Sequence, residues 1–339
     1  MTRWLRIISP LIVAALVVLL IASIDRAALR AALRDASWAP LLVALALNIP
    51  LAALYPVRSW FVLQRMGDAV PLRVLVPSMI LGNVAGSLTP MSAGELLRAG
   101  ALHTYAGTTV EDGLALIAYE RAVSLYLLIL TTGAAAALAI LSMTQAALVA
   151  LAALVAASLL LAAPAVFGLI ERRLPEHPTK SGLLWSLREA ASRIVLLLRD
   201  RRLLLIWSAI TIAMYAIATA QVYFTARSIN TGAISFDDSW MAWGASQLAG
   251  IASLLPFGLG ALDASIAALL SNAGMTLEEG TAVAILTRAV MTLPMALIAG
   301  GCYLYLVYGL RPVAENATAS GEAAPGDAPP VNAGAHPPV

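Results

Sequence analysis

Eight apolar stretches set the limits on what this chain can fold into. Six are uncut and lie at 4–24, 38–58, 113–142, 144–170, 203–225 and 280–310. Each is close to or above the roughly 20 apolar residues a helix needs to cross a bilayer core of about 30 Å. The other two, 74–105 and 239–272, are cut by Pro90 and Pro256. The halves on either side of each proline are shorter than a span. Irregular backbone at membrane depth survives only where protein buries it or where it lines a wet cavity. The expected fold is therefore an all-α polytopic membrane protein with six full transmembrane helices and two re-entrant hairpins, broken at Pro90 and Pro256. Composition agrees: 12% of residues are charged and mean hydropathy is +0.86, against about 25% charged in a soluble domain.

The first run follows Arg3 and Arg6, is too long for a signal-peptide core and lacks a small-x-small cleavage site. It reads as a retained first span. Residues 171–202 form a basic linker in which Leu184, Leu187, Ile194, Leu197 and Leu198 recur at helical spacing among arginines. Such a segment is expected to lie on a membrane face. Placing it in the cytoplasm, where Lys and Arg accumulate, puts 15 of the 21 Lys+Arg residues inside. Arg26, Arg30, Arg34 and Arg227 then lie outside, and Arg121 and Arg288 fall within spans. Both termini are then cytoplasmic and the membrane is the inner (cell) membrane. Residues 311–339 are rich in Pro, Ala and Gly, a composition that builds no core and predicts a disordered tail.

The two cut stretches resemble each other. LTPMSAGELLRAG begins at Leu88 and LLPFGLGALDASI at Leu254. Pro90 pairs with Pro256 and Gly94 with Gly260. After a one-residue gap, Gly107 pairs with Gly274, Glu111 with Glu278, Gly113 with Gly280 and Arg121 with Arg288. The acidic residue after the break drifts from Glu95 to Asp263. Each half, 1–142 and 143–310, reads as span, span, broken hairpin, span. Three full crossings is an odd number, so the second copy is inserted upside down. Inverted repeats with broken helices characterise many transporters, whose sites lie where the breaks meet.

Thr109-x-x-Asp112 and Thr276-x-x-Glu279 read as capping boxes that start the last helix of each half. Arg121 and Arg288 each lie 12 residues past the cap, roughly 18 Å along a helix. A charge at that depth costs about 2.5–3.5 kcal/mol, so each arginine needs a partner. A phosphate suits the planar fork of Arg. An internal salt bridge to Glu95, Glu120 or Asp263 satisfies the same requirement without any ligand. Glu95 and Arg98 form an i,i+3 pair on one helix face. Trp240, Trp243, Tyr303 and Tyr305 read as interface anchors.

These residues resemble the flippase-like membrane region of lysylphosphatidylglycerol synthases and its stand-alone relatives. That family carries a Pro, a Gly-Glu and an Arg in its first hairpin and an E-R pair in the next helix. Here these look like Pro90, Gly94-Glu95, Arg98 and Glu120-Arg121. Its second hairpin carries Pro-x-x-x-Gly, usually a Glu, and a later Arg. Here they look like Pro256, Gly260 and Arg288, with Asp263 in place of Glu. The resemblance implies movement of a lipid, or of a lipid-linked head group, between leaflets. The substrate-binding set expected on this reading has the phosphate near Arg121 and Arg288, Arg98 beside them, and Glu95, Glu120 and Asp263 positioning the arginines or carrying a coupling proton. Aminoacyl transfer belongs to a separate soluble domain in the full-length synthases and is not expected here.

Enzyme signals are absent. No phosphate-binding loop surrounds the single Lys180, and His103, His177, His336 and Cys302 are scattered. No metal, cofactor or nucleic acid is expected. The leading reading is a flippase for an anionic phospholipid without its own ATPase. Its expected partners are phosphate-bearing membrane lipids and a lipid-modifying enzyme. The alternatives are a non-transporting membrane partner of such an enzyme and a polar small-solute transporter.

Overall fold

A computed structural model describes residues 26–140, 169, 183–229, 232 and 234–313, and among these it is entirely helical. Four helical segments are long and apolar enough to cross a membrane: Trp38–Met66, Val110–Ala137, Arg201–Ile229 and Leu277–Gly309. They coincide with four of the six expected spans. The expected spans at 4–24 and at 144–170, Leu169 apart, lie outside the described residues, as do the first part of the linker and the tail beyond Val313.

The elements are α1 (Arg26–Asp35), α2 (Trp38–Ala46), α3 (Asn48–Met66), α4 (Leu72–Leu88), a 3-10 turn (Pro90–Glu95), α5 (Leu96–Ala106) and α6 (Val110–Ile140). There follow α7 (Leu183–Arg199), α8 (Arg201–Ile229), α9 (Phe236–Ser253), a 3-10 turn (Pro256–Gly258), α10 (Ala261–Asn272) and α11 (Leu277–Thr287). A π-helical turn (Arg288–Thr292) leads from α11 into α12 (Leu293–Leu304). Both cut stretches are helix–break–helix, with the breaks at the two prolines.

Packing repeats in the same order. α4 lies on α5 and α5 on α6; α9 lies on α10 and α10 on α11. The entering arms also cross over, α4 packing on α12 and α9 on α6. Glycines matched between the two stretches do matched work. Gly107 and Gly274 follow the returning arms with φ of 75° and 111°, a conformation other residues resist. A Cβ on Gly113 would stand 2.7 Å from Ala99, and one on Gly280 2.6 Å from the Ala267 carbonyl. Both glycines thus let the following helix close on the returning arm. Gly94 and Gly260 do not share a role: Gly94 is buried against Ala85, while Gly260 has a φ of 80° and open space around it.

The hairpins open toward opposite ends of the bundle. At one end Arg65 meets Asp200 at 2.5 Å and Arg193 pairs with Asp112; Arg73 and Tyr105 share a cavity with Leu310. At the other, the Ser37 N–H donates to the Ser228 carbonyl at 2.7 Å, and Ile234 clusters with Ala226, Ile229 and Met275. So α4 starts and α5 ends at the first end, and α9 starts and α10 ends at the second. The Pro256–Gly258 turn touches α4, which brings the second break against the first hairpin.

Several expectations change. The later part of α7 turns its apolar face to protein: Ile194, Leu197 and Leu198 join Val62, Leu63, Leu116, Tyr119 and Trp207 in one core, while the side chains of Leu184 and Leu187 lie outside the description. Burial against protein satisfies the core residues just as lipid would. Trp243 and Tyr303 are buried, Trp243 tilting on Tyr215 at 5.1 Å, so they pack the core and do not anchor an interface. The Thr276 capping box forms in full, Thr276 accepting from the Glu279 N–H at 3.1 Å and the Glu279 carboxylate accepting from the Thr276 N–H at 2.7 Å. At the first helix the Thr109 hydroxyl accepts from the Asp112 N–H at 3.1 Å and donates to the Asp112 carboxylate, a side-chain cap in place of the reciprocal box.

The helix that carries Arg288 has a defect and a repair. Pro294 has no N–H, so the Val290 carbonyl one turn earlier loses its helical donor. The buried Asn48 side chain donates to that carbonyl at 2.7 Å. Gln221 likewise donates to the Ala44 carbonyl at 3.1 Å, near the join of α2 and α3. These two amides tie the first described span to α8 and to the π-helical turn between α11 and α12.

Candidate functional site

The first break places charge in the middle of the bundle. The Thr89 hydroxyl donates to the Ala85 carbonyl at 2.9 Å and accepts from the Gly94 N–H at 2.6 Å. This one side chain closes the Pro90–Glu95 turn, so that Glu95 takes the N-cap position of α5 and Arg98 falls in its first turn. Gly82 and Gly86 on α4 make the room. A Cβ on Gly82 would stand 2.5 Å from the Arg98 Cβ, and one on Gly86 2.7 Å from the Glu95 Cγ.

Around this turn runs a chain of alternating charges: Arg58, Glu120, Arg98, Glu95, Arg121. Glu120 is buried and accepts from Arg98 Nη1 at 2.5 Å and from the Ser59 hydroxyl at 2.6 Å. Arg58 Nη2 lies 3.8 Å from the same carboxylate. Arg98 also pairs with Glu95 at 3.3 Å, and Glu95 pairs with Arg121. Arg58 is held from its other side by aromatic faces, its guanidinium carbon 4.5 Å from the Trp207 ring and 5.7 Å from that of Tyr55.

Among the described residues, three guanidinium groups against two carboxylates leave this cluster with one excess positive charge. The excess has an open end. Arg98 and Glu120 are 6% and 3% exposed in their side chains, whereas Arg121 is 45% exposed. An anion reaching Arg121 competes with Glu95 alone, and Glu95 keeps Arg98 when Arg121 turns away. A charge-assisted, two-oxygen contact is what a guanidinium offers such an anion.

Among the described residues, the second hairpin makes one counterpart ion pair. Arg288 holds Asp263 with Nε and Nη2, both at 2.6 Å. Asp263 also accepts from the Gly260 N–H at 3.2 Å, so its shorter side chain serves the arginine and the helix start together. This pair is neutral as a unit. Arg121 and Arg288 thus each take the carboxylate of their own hairpin and share none. Of the residues expected at the site, Glu95, Arg98, Glu120 and Arg121 come together, and Asp263 and Arg288 form a separate pair. Pro90, Gly94, Pro256 and Gly260 sit at the breaks.

Arg58 and Ser59 are absent from the expected set. The signal was present: Arg58 is the first charge after Asp35 in a long apolar run, but counting it with the cytoplasmic arginines ended the span too early. Arg98, counted there too, is likewise buried. Trp207 carries no signal that separates it from an anchor at the start of α8. No cluster of His, Cys, Asp and Glu suited to a metal ion occurs among the described residues.

The family model described as lysylphosphatidylglycerol synthase TM region matches residues 6–299. No curated protein matches the chain.

Proposed function

Because the chain belongs to the lysylphosphatidylglycerol synthase TM region family, we propose that it moves an anionic, phosphate-bearing lipid head group between the leaflets of the inner membrane. The observation that carries this reading is the excess positive charge of the Arg58–Glu120–Arg98–Glu95–Arg121 chain, opened at Arg121. A charge uncompensated by protein within a span is expensive, and an anionic guest balances it. The head group approaches Arg121 and displaces its contact with Glu95, while the acyl chains stay in lipid. Arg98 and Glu120 hold the first turn of α5 in place beneath it.

The wider architecture supports the reading. Hairpins that open toward opposite ends, with crossed packing of the entering arms, fit two units, 1–142 and 143–310, inserted in opposite senses. Arginine-rich ends of α3, α7 and α8 favour a cytoplasmic location for that end of the bundle, in keeping with the expectation of cytoplasmic termini. In this reading the protein uses no cofactor, ATPase or synthase activity of its own, and the lipid moves downhill.

Arg121→Gln tests the site. In proteoliposomes containing fluorescent phosphatidylglycerol, the wild type should translocate the lipid unaided, and the variant should be slower by about tenfold or more, as expected for loss of one charge-assisted contact of 1.5–3 kcal/mol. An unchanged rate in the folded variant removes Arg121 from the site. No movement by the wild-type protein alone favours a non-transporting partner of a lipid-modifying enzyme.

A further inference from the structure

A second basic site lies away from the charge chain, where the first hairpin opens. A cavity of about 320 Å³ is lined by Arg73, Val74, Tyr105, Gly309, Leu310 and Arg311. It joins the first turn of α4, the last turn of α5 and the end of the last span. No acidic residue lines it. Neither Arg73 nor Arg311 has an ion-pair partner among the described residues.

The contrast with its neighbour is informative. A cavity of the same size, about 320 Å³, is lined by Arg65, Ser192, Val195, Leu196, Arg199 and Asp200. There Asp200 takes Arg65 at 2.5 Å, and the Leu203 N–H and Arg65 together hold that carboxyl below its usual range. Its positive charge is partly spent within the protein, whereas that of the Arg73–Arg311 cavity is not.

From this geometry we infer that the Arg73–Arg311 cavity is a phosphate-binding site for the head group of an anionic lipid in the leaflet at that end. Two arginines lining one small cavity offer guanidinium groups suited to the oxygens of a phosphate. A volume near 300 Å³ is at the low end for ligand sites, enough for a head group and too small for acyl chains. The surroundings favour a lipid over free phosphate. Leu72, beside Arg73, is 65% exposed, and Tyr308, in the last turn of the span, is 69% exposed. Apolar and tyrosine side chains uncovered beside arginines at the end of a span belong at the level of the head groups. Beneath the cavity, Tyr105 and Leu310 pack with Leu81, Tyr303 and Leu306, which gives it a firm floor. The inference does not require that the protein translocate anything.

The test is equilibrium binding. The purified chain is placed in phosphatidylcholine nanodiscs with a minority of spin-labelled phosphatidylglycerol, and the immobilised fraction is measured with and without inorganic phosphate. Arg73→Gln with Arg311→Gln should weaken retention of the labelled lipid by about thirtyfold, since a basic residue at the surface contributes about a factor of five. Arg311→Gln alone, on exposed chain past the last span, should weaken it about fivefold and guards against misfolding of the double variant. Loss of lipid retention without competition by inorganic phosphate supports the lipid as guest. Competition that needs both arginines supports the same phosphate chemistry with free phosphate as guest. Equal binding of both probes by the wild type and both variants overturns the site. Because the readout is binding, a chain that moves no lipid can still pass or fail it, and its outcome is separate from that of Arg121→Gln.

Discussion

Glu120→Gln should destabilise the folded protein by about 3–5 kcal/mol, the range for leaving a buried charge without its partner. Glu120 is the carboxylate on which Arg58, Arg98 and Ser59 converge. Gln keeps the volume and accepts a hydrogen bond, but it removes the negative charge between two buried guanidinium groups. The cluster then holds three positive charges against one negative. Denaturant or SDS titration of the reconstituted protein measures the loss. The contrast with Arg121→Gln sharpens the prediction. That change leaves Glu95 still paired with Arg98 at 3.3 Å and removes a half-exposed contact, so its cost in stability should be below about 1 kcal/mol. If Glu120→Gln unfolds no more easily than Arg121→Gln, the buried charges are not held as described.

Gly94→Val should be nearly as damaging, at about 3 kcal/mol, the upper part of the range for overpacking. A Cβ at Gly94 would overlap the Ala85 carbonyl. That carbonyl is backbone in the last turn of α4, and it is also the acceptor of the Thr89 hydroxyl. It cannot move without opening the turn that sets Glu95 and Arg98. The substitution should therefore lower both the stability and the fraction of protein that inserts with a native protease-digestion pattern. Gly260→Ala is the control, because Gly260 has open space where a Cβ would go and only its φ of 80° to resist the change. A native digestion pattern in Gly94→Val would mean that the break tolerates a side chain.

Much of this architecture is legible in the sequence, because a membrane leaves few options. Four spans and both breaks follow from apolar length and from Pro90 and Pro256 alone. The matched glycines are legible as a pattern, although their reasons differ by position: a left-handed end at Gly107 and Gly274, close approach at Gly113 and Gly280. What spacing along one helix does not disclose is pairing between helices. Arg121 and Arg288 look alike in sequence, yet Arg121 belongs to a five-residue chain with charge left over while Arg288 closes with Asp263 into a neutral pair. Arg58 joins Glu120 from 62 positions earlier, a proximity only the folded bundle creates. The apolar face of α7 was also ambiguous, because lipid and a protein core ask for the same side chains; Asp112 drawing Arg193 onto the start of α6 decides for the core.

The most direct measurement of the central claim is head-group preference. Proteoliposomes carrying labelled phosphatidylglycerol or labelled phosphatidylcholine, with the same acyl chains, are followed for movement of the label between leaflets. The excess guanidinium charge at Arg121 predicts faster movement of the anionic lipid in the wild type, by about tenfold for one charge-assisted contact, and loss of that preference in Arg121→Gln. Equal rates for the two lipids in the wild type, or a preference that survives in Arg121→Gln, would contradict it.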